Sequence, residues 1–203
     1  MEQIKSPKTR GRPRAFDNEE ALDRALKVFW TRGYEGASLN ELTNALGINR
    51  PSLYAAFGNK EELFRKALAR YLEGPVAYLR EVMHETTARQ VVEQFLLKSV
   101  DVLTDKNNPG GCMVVQGALS CGEGAAIIRQ ELINCRKSYE DEFCRRFEDA
   151  QAKGDLDRGI DTDSLAKYVA TIHQGLSVQA SSGATREELL AVVATVLKHW
   201  PSK

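Results

Sequence analysis

SLNELTNALGINRPSLYAAFGNK, residues 38–60, is punctuated for helices at every break. An oxygen-bearing side chain followed three residues later by Glu satisfies free amide groups at a helix start reciprocally. Ser38 with Glu41 and Asn59 with Glu62 have that spacing, as does Asp17 with Glu20 upstream. Gly33, Gly47 and Gly58 stand where each apolar pattern stops, and glycine enters the left-handed conformation that ends helices without a Cβ clash. The spacing predicts helix, helix, short helix, helix. Leu22, Ala25, Leu26 and Phe29 share a face of the first, Leu39, Leu42 and Leu46 of the second, and Leu53 and Phe57 of the third. These faces are expected to meet in one small core, with Trp30 and Tyr34 closing its edge.

Residues 39–46, the turn Gly47-Ile48-Asn49 and residues 50–57 follow the plan of a helix-turn-helix, whose second helix enters the major groove by its N-terminal end. That end reads Asn49-Arg50-Pro51-Ser52, and Pro51 is tolerated because the first turn has no amide bond to lose. Arg50 is suited to fork onto O6 and N7 of guanine, and Asn49 or Ser52 to bond a base edge or a phosphate. Tyr54 and Lys60 are suited to hold a phosphate, which fixes register but reads no sequence. A helical hairpin that fills a core or packs on another protein has the same pattern, and spacing by itself leaves both readings open.

The run Gly33-Tyr34, Ser38, then Ile48-Asn49-Arg50-Pro51-Ser52-Leu53-Tyr54, Phe57 and Lys60-Glu61-Glu62-Leu63-Phe64 resembles the N-terminal DNA-binding domain of the TetR family of bacterial transcriptional regulators. The match is specific over residues 16–66. The resemblance implies an all-α protein of about nine helices, with a helix-turn-helix domain at 16–66 and a larger effector-binding and dimerisation domain at 67–203. It implies a homodimer formed by the last two helices and a repressor released from a palindromic double-stranded DNA operator by a small-molecule effector. By the same resemblance Ser38, Asn49, Arg50, Pro51, Ser52, Tyr54 and Lys60 face DNA. Ala55 and Ala56 depart from the larger groups common in the family, which puts more of the reading on Arg50 or on contact with a thymine methyl.

Residues 1–15 carry Lys5, Lys8, Arg10, Arg12 and Arg14 among Pro7, Gly11 and Pro13, with no apolar periodicity, and are expected to form a flexible basic arm. Arg10-Gly11-Arg12-Pro13-Arg14 resembles the core of an AT-hook, which lays arginines along a narrow minor groove. A merely solubilising tail has the same composition. Charge is divided accordingly: the chain holds 28 basic and 28 acidic residues, yet residues 1–70 hold 13 against 9 and the rest 15 against 19. The net positive end is the one that bears the motif.

The 203 residues suffice for a well-buried core, and 42% hydrophobic with 28% charged content is ordinary for a globular chain. No apolar run approaches the roughly 20 residues that span a bilayer, and no signal-like stretch follows the basic start, so the expected location is the cytoplasm, without a membrane partner. Four cysteines there read as thiols rather than a disulfide framework. An enzyme is not indicated: the chain lacks a Walker sequence, Cys-x-x-Cys and His-Glu-x-x-His, and His84, His173 and His199 are too scattered for a metal cluster. No cofactor or metal is expected.

Beyond residue 63 the pattern stays helical, interrupted at Gly74-Pro75, and resumes over 78–83. Further helices are expected over 88–103, 112–121, 125–153, 163–180 and 186–200. In the last two, Leu165, Val169, Ile172 and Leu176 form one stripe, and Leu189, Val193, Val196, Leu197 and Trp200 another. They fit a dimer interface or an intramolecular core, and the advantage of paired reading helices favours the interface. Tyr78, Phe95, Met113, Gln116, Tyr139, Phe143 and His173 are candidates to line an effector site, though each also suits a core. Gly74-Pro75 is a candidate joint between that site and the reading head. Cys112, after Gly110-Gly111 at a helix start where the macrodipole favours thiolate, is a candidate redox or electrophile sensor, with Cys121, Cys135 and Cys144 as resolving partners; small apolar filling is the other reading.

Overall fold

The computed structural model describes residues 17–201 apart from 121. Among them the chain forms ten α-helices and no strand: α1 Asn18–Gly36, α2 Leu39–Leu46, α3 Arg50–Phe57, α4 Lys60–Glu73, α5 Tyr78–Val82, α6 Ala88–Leu103, α7 Met113–Ser120, α8 Ala126–Lys153, α9 Thr162–Ser181 and α10 Arg186–Lys198, with a 3-10 turn at Glu123–Ala125 before α8. The expected boundaries hold to within a few residues because caps and glycines set them locally. Ser38 with Glu41 and Asn59 with Glu62 form both halves of the reciprocal cap, and Asp17 accepts from the amides of Glu19 and Glu20. Thr87 with Gln90 and Thr185 with Glu188 make the same box at α6 and α10. Gly33 does not end α1 as expected. It adopts φ 69°, ψ 178° and kinks the helix, which continues to Gly36.

Ala25, Leu26 and Phe29 of α1, Leu42 and Leu46 of α2, Leu53 and Phe57 of α3 and Leu63 and Phe64 of α4 are all buried. Phe64 meets Phe29 edge-on at 5.1 Å and Tyr34 at 5.3 Å, so α4 closes the small head that the first three helices begin. Each such side chain contributes about 2 kcal/mol of burial free energy. Helix α4 also reaches the body. Arg70 bonds Asp23 at 2.9 Å and Glu19 at 2.7 Å on α1, while Arg65 holds Glu131 of α8 at 2.8 Å. The domain boundary expected at residue 66 thus falls inside a helix that both parts use.

The body is built on α8, at 28 residues about 42 Å long. Phe143 and Phe147 of α8 form a row of tilted and edge-on rings with Phe95 of α6 at one end and Trp200 at the other, ring centroids 4.8–5.8 Å apart. This corrects the expected dimer stripes. Leu165, Val169 and Leu176 of α9, and Leu189, Val193, Val196 and Trp200 of the last segment, lie buried in the chain's own core, with Ile172 and Leu197 packed against it. The physical reason is that α6 and α8 carry apolar faces of their own, and α9 and α10 cover them. What remains outward is Tyr168 and Val178 on α9 and Val192 on α10, each 43–44% exposed.

Trp200→Ala is accordingly expected to lower the unfolding free energy by about 3–5 kcal/mol. The check is urea denaturation followed across a dilution series, since loss of an intramolecular contact is independent of protein concentration.

Candidate DNA interface and interior cavity

Helix α3 is short, and its orientation follows from two side chains. Leu53 and Phe57 are buried in the head, which turns Arg50, Pro51, Ser52 and Tyr54 outward. Asn49 caps the helix, its Oδ1 accepting the Ser52 amide at 2.9 Å, so its carbonyl oxygen is engaged while its amide N–H groups remain as donors. The turn before it needs Gly47 at φ 69°, a left-handed residue whose amide bonds Asn44. Arg50 does not stand alone: its Nη2 donates to Asn40 Oδ1 on α2 at 2.9 Å. Asn40 is a residue the sequence pattern did not single out, because a one-to-ten spacing across a turn has no periodic signature.

Around this tip, Ser38 sits exposed at the start of α2, with Oγ accepting the Glu41 amide at 3.1 Å and its own amide donating to the Glu41 carboxylate at 3.0 Å. The hydrogen bond to Ser38 holds the Glu41 carboxyl below its usual range, with smaller help from Arg32 and Lys60. Lys60 is half-buried at the start of α4, its ammonium 4.5 Å from the centroid of Tyr34. Tyr54 is 47% exposed. Ser38, Asn49, Arg50, Pro51, Ser52, Tyr54 and Lys60 thus all belong to the head, whereas Arg10, Arg12 and Arg14 lie outside the described residues.

A narrow cavity of about 50 Å³ lies in the body, walled by Tyr71, Leu79, Phe95, Cys112, Tyr139, Phe143 and His173, with Arg136, Glu140 and Gln174 also on its lining. Of the residues expected there, Phe95, Tyr139, Phe143 and His173 are brought together. Tyr78, Met113 and Gln116 are not. Tyr78 shares a hydrogen bond with Ser99 at 2.9 Å, Met113 is core, and Gln116 packs beside the Gly111 loop. For Met113 and Gln116 the reason is local direction: Cys112, just before α7, and Val114 and Val115 in its first turn meet the cavity, while Met113 and Gln116 turn elsewhere.

Cys112 joins this cavity to the head. Its amide donates to Ser177 Oγ at 2.8 Å, its sulfur accepts from the Tyr71 hydroxyl at 3.3 Å, and the carbonyl of the preceding Gly111 accepts the indole N–H of Trp30 at 2.9 Å. Trp30 and Tyr71 meet edge-on at 4.7 Å, so Trp30 lies at the junction of head and body rather than at the edge of a separate head core. Gly111 sits at φ 83°, where an added Cβ would fall 2.3 Å from Gln116 Nε2. Burial pushes the Cys112 thiol up, outweighing the Tyr71 hydroxyl, the amides of Val115 and Val114 and nearby Arg136, which all pull it down. The helix-start effect expected of Cys112 is therefore present but loses to desolvation, and the sulfur is a thiol at neutral pH. Cys135 is likewise pushed up to about 11 by burial, while Cys144 is raised chiefly by its contact with Asp163; among the described residues all three are free thiols, and Cys121 lies outside them.

These observations define a helical DNA-binding regulator, and comparison with known proteins agrees. Residues 21–67 match the family described as bacterial regulatory proteins, tetR family, and residues 88–196 match the tetracyclin repressor-like C-terminal domain. The chain belongs to the TetR family of transcriptional regulators and is not an enzyme. It is 33% identical to the transcriptional repressor ComR of Escherichia coli K12 over 200 residues, 96% of this chain and 93% of ComR. The repressor BdcR of the same organism is 28% identical over 191 residues, 94% of this chain and 92% of BdcR. Among solved structures, the TetR family regulator CifR, as a cysteine mutant bound to a 26-base-pair operator, is 46% identical with a TM-score of 0.88, covering 94% of this chain and all of that one. No described helix is long and apolar enough to cross a membrane, and no metal-binding cluster occurs among the described residues.

His173, enclosed beside Phe95, has its pKa pushed down to about 4 by burial. A depressed value means that the neutral ring is favoured by the fold, so the stability it contributes is present above pH 6.5 and is lost as pH falls toward 4. The melting temperature is expected to decline over that window, and His173→Phe to decline less; melts at pH 7 and pH 5 check it.

Proposed function

We propose that the chain is a repressor whose two copies present α3 to successive major grooves of a palindromic operator and release it when a compact molecule occupies the cavity. The observation that carries this reading is the anchoring of α3 by Leu53 and Phe57, which commits Arg50, Ser52 and Tyr54 to the outside. Arg50 reads a base, Asn49 or Ser52 a base edge or phosphate, and Ser38, Tyr54 and Lys60 hold the backbone. The basic arm, through Arg10, Arg12 and Arg14, follows the adjacent minor groove. The likeness to ComR and BdcR supports repression as the sign of the response, and the likeness to operator-bound CifR supports the mode of docking. Such a complex forms where the chromosome is, in the cytoplasm.

Two copies pair through the outward faces of α9 and α10, where Tyr168, Val178 and Val192 leave apolar area uncovered and Gly175 is open. The effector acts through the Cys112 loop: a ligand that displaces the Tyr71 hydroxyl or Cys112 also moves the Gly111 carbonyl that holds Trp30 on α1. Gly74-Pro75, between α4 and α5, is the joint that absorbs the motion. A conformational preference of a few kcal/mol suffices to empty the operator.

Selection of random duplexes by the full chain is expected to recover a palindrome with half-sites about one helical turn apart. Arg50→Ala weakens binding about tenfold or more, and Lys60→Ala flattens the salt dependence. Val192→Glu gives a monomer by ultracentrifugation and loses operator affinity with it. Recovery of no preferred sequence would sink the reading, and a Val192→Glu protein that stays dimeric would remove this pairing surface.

A second reading is favoured by the position of the Cys112 sulfur on the cavity wall: the effector is an electrophile that enters and alkylates it. With iodoacetamide as probe, sulfur bonds to the methylene carbon, iodide leaves and the thiol proton passes to solvent. Because the thiol is raised, the alkylation rate is expected to keep climbing as pH passes the ordinary thiol range. Operator release by iodoacetamide that persists in Cys112→Ser refutes this reading.

A further inference from the structure

We propose that Asn40 is a specificity-determining residue that acts through Arg50, holding its guanidinium in one plane before DNA arrives. The inference rests on the reading of Arg50 as the base-contacting side chain. Asn40 is the second residue of α2 and Arg50 the first of α3, and the turn Gly47-Ile48-Asn49 brings them to a 2.9 Å hydrogen bond from Nη2 to Oδ1. Both side chains are exposed, so burial does not force the contact.

The chemistry of the pair suits a reading fork. An arginine on an exposed helix start has several rotatable bonds, and freezing them on binding subtracts from affinity and blurs which base is met. One N–H committed to Asn40 leaves four for a guanine edge and a phosphate. The partner is also neutral. A carboxylate at position 40 would hold Arg50 more strongly but cancel its charge and repel the phosphates, whereas an amide orients the cation and leaves it whole. The neighbouring carboxylate, Glu41, is turned to its own helix cap and to Arg32 at 3.7 Å, away from this role. Ala55 and Ala56, more than a turn further along α3, are too short to share the reading.

The test is a double-mutant cycle on the operator recovered by selection with the full chain, using duplexes substituted one base pair at a time. Arg50→Ala is expected to erase the preference at one guanine by about tenfold or more. Asn40→Ala lowers the preference at that same base pair by roughly three- to tenfold, and has no further effect there once Arg50 is alanine. Asn40→Asp, which keeps the acceptor, retains the preference while lowering affinity for every duplex and reducing the salt slope. Thermal melts of each variant confirm that the head stays folded. A uniform loss across all duplexes, additive with Arg50→Ala, overturns the proposal by making Asn40 a backbone contact. A loss at a different base pair overturns it by making Asn40 a reader itself. If Arg50→Ala leaves every base preference intact, the base-reading role of Arg50 falls and this inference with it.

Discussion

The indole N–H of Trp30 and the carbonyl of Gly111 form the buried polar contact on which the arrangement of the two parts depends. Both groups are removed from water, and a buried donor left without its acceptor costs more than the bond itself contributes. The contact therefore fixes distance and angle between α1 and the loop before α7 in a way apolar packing alone does not. Gly111 must be glycine to present that carbonyl, because the loop turns left-handed against Gln116 and Ser177. The Tyr71 hydroxyl, the Cys112 sulfur and the cavity behind them all lie next to this point.

Desolvation rules the chemistry of that cavity. It holds Cys112 as a thiol and His173 as a neutral imidazole, although a helix start and an arginine stand beside the sulfur. The same lining also carries Arg136 and Glu140, so the uncharged thiol and imidazole stand beside two ionisable side chains. At the start of α3 the surroundings are the reverse: the guanidinium of Arg50 is exposed to water and donates to the neutral amide of Asn40.

Helices α9 and α10 show why an apolar stripe read from sequence does not name its partner. Leu165, Val169, Leu189 and Val193 have the spacing of an interface, and burial against α6 and α8 accounts for all of them. The outward residues Tyr168, Val178 and Val192 are fewer and more widely set, so their pattern is faint beside the inner stripe. Trp30 carries the same lesson, since an aromatic residue at the end of an apolar face gives no sign of a partner 81 residues away.

Sequence by itself determined the all-helical class, the position of nearly every helix end and the exposed start of α3. Those depend on caps, glycines and local apolar spacing, interactions that close within four residues and so leave a trace in the order of the chain. The tertiary structure alone decided that Asn40 holds Arg50, that Cys112 faces a cavity as a thiol, that Met113 and Gln116 turn away from it, and that the last apolar stripes belong to the chain's own core. Each of these is a matter of which distant surfaces meet and which groups lose water, and neither is written in local spacing.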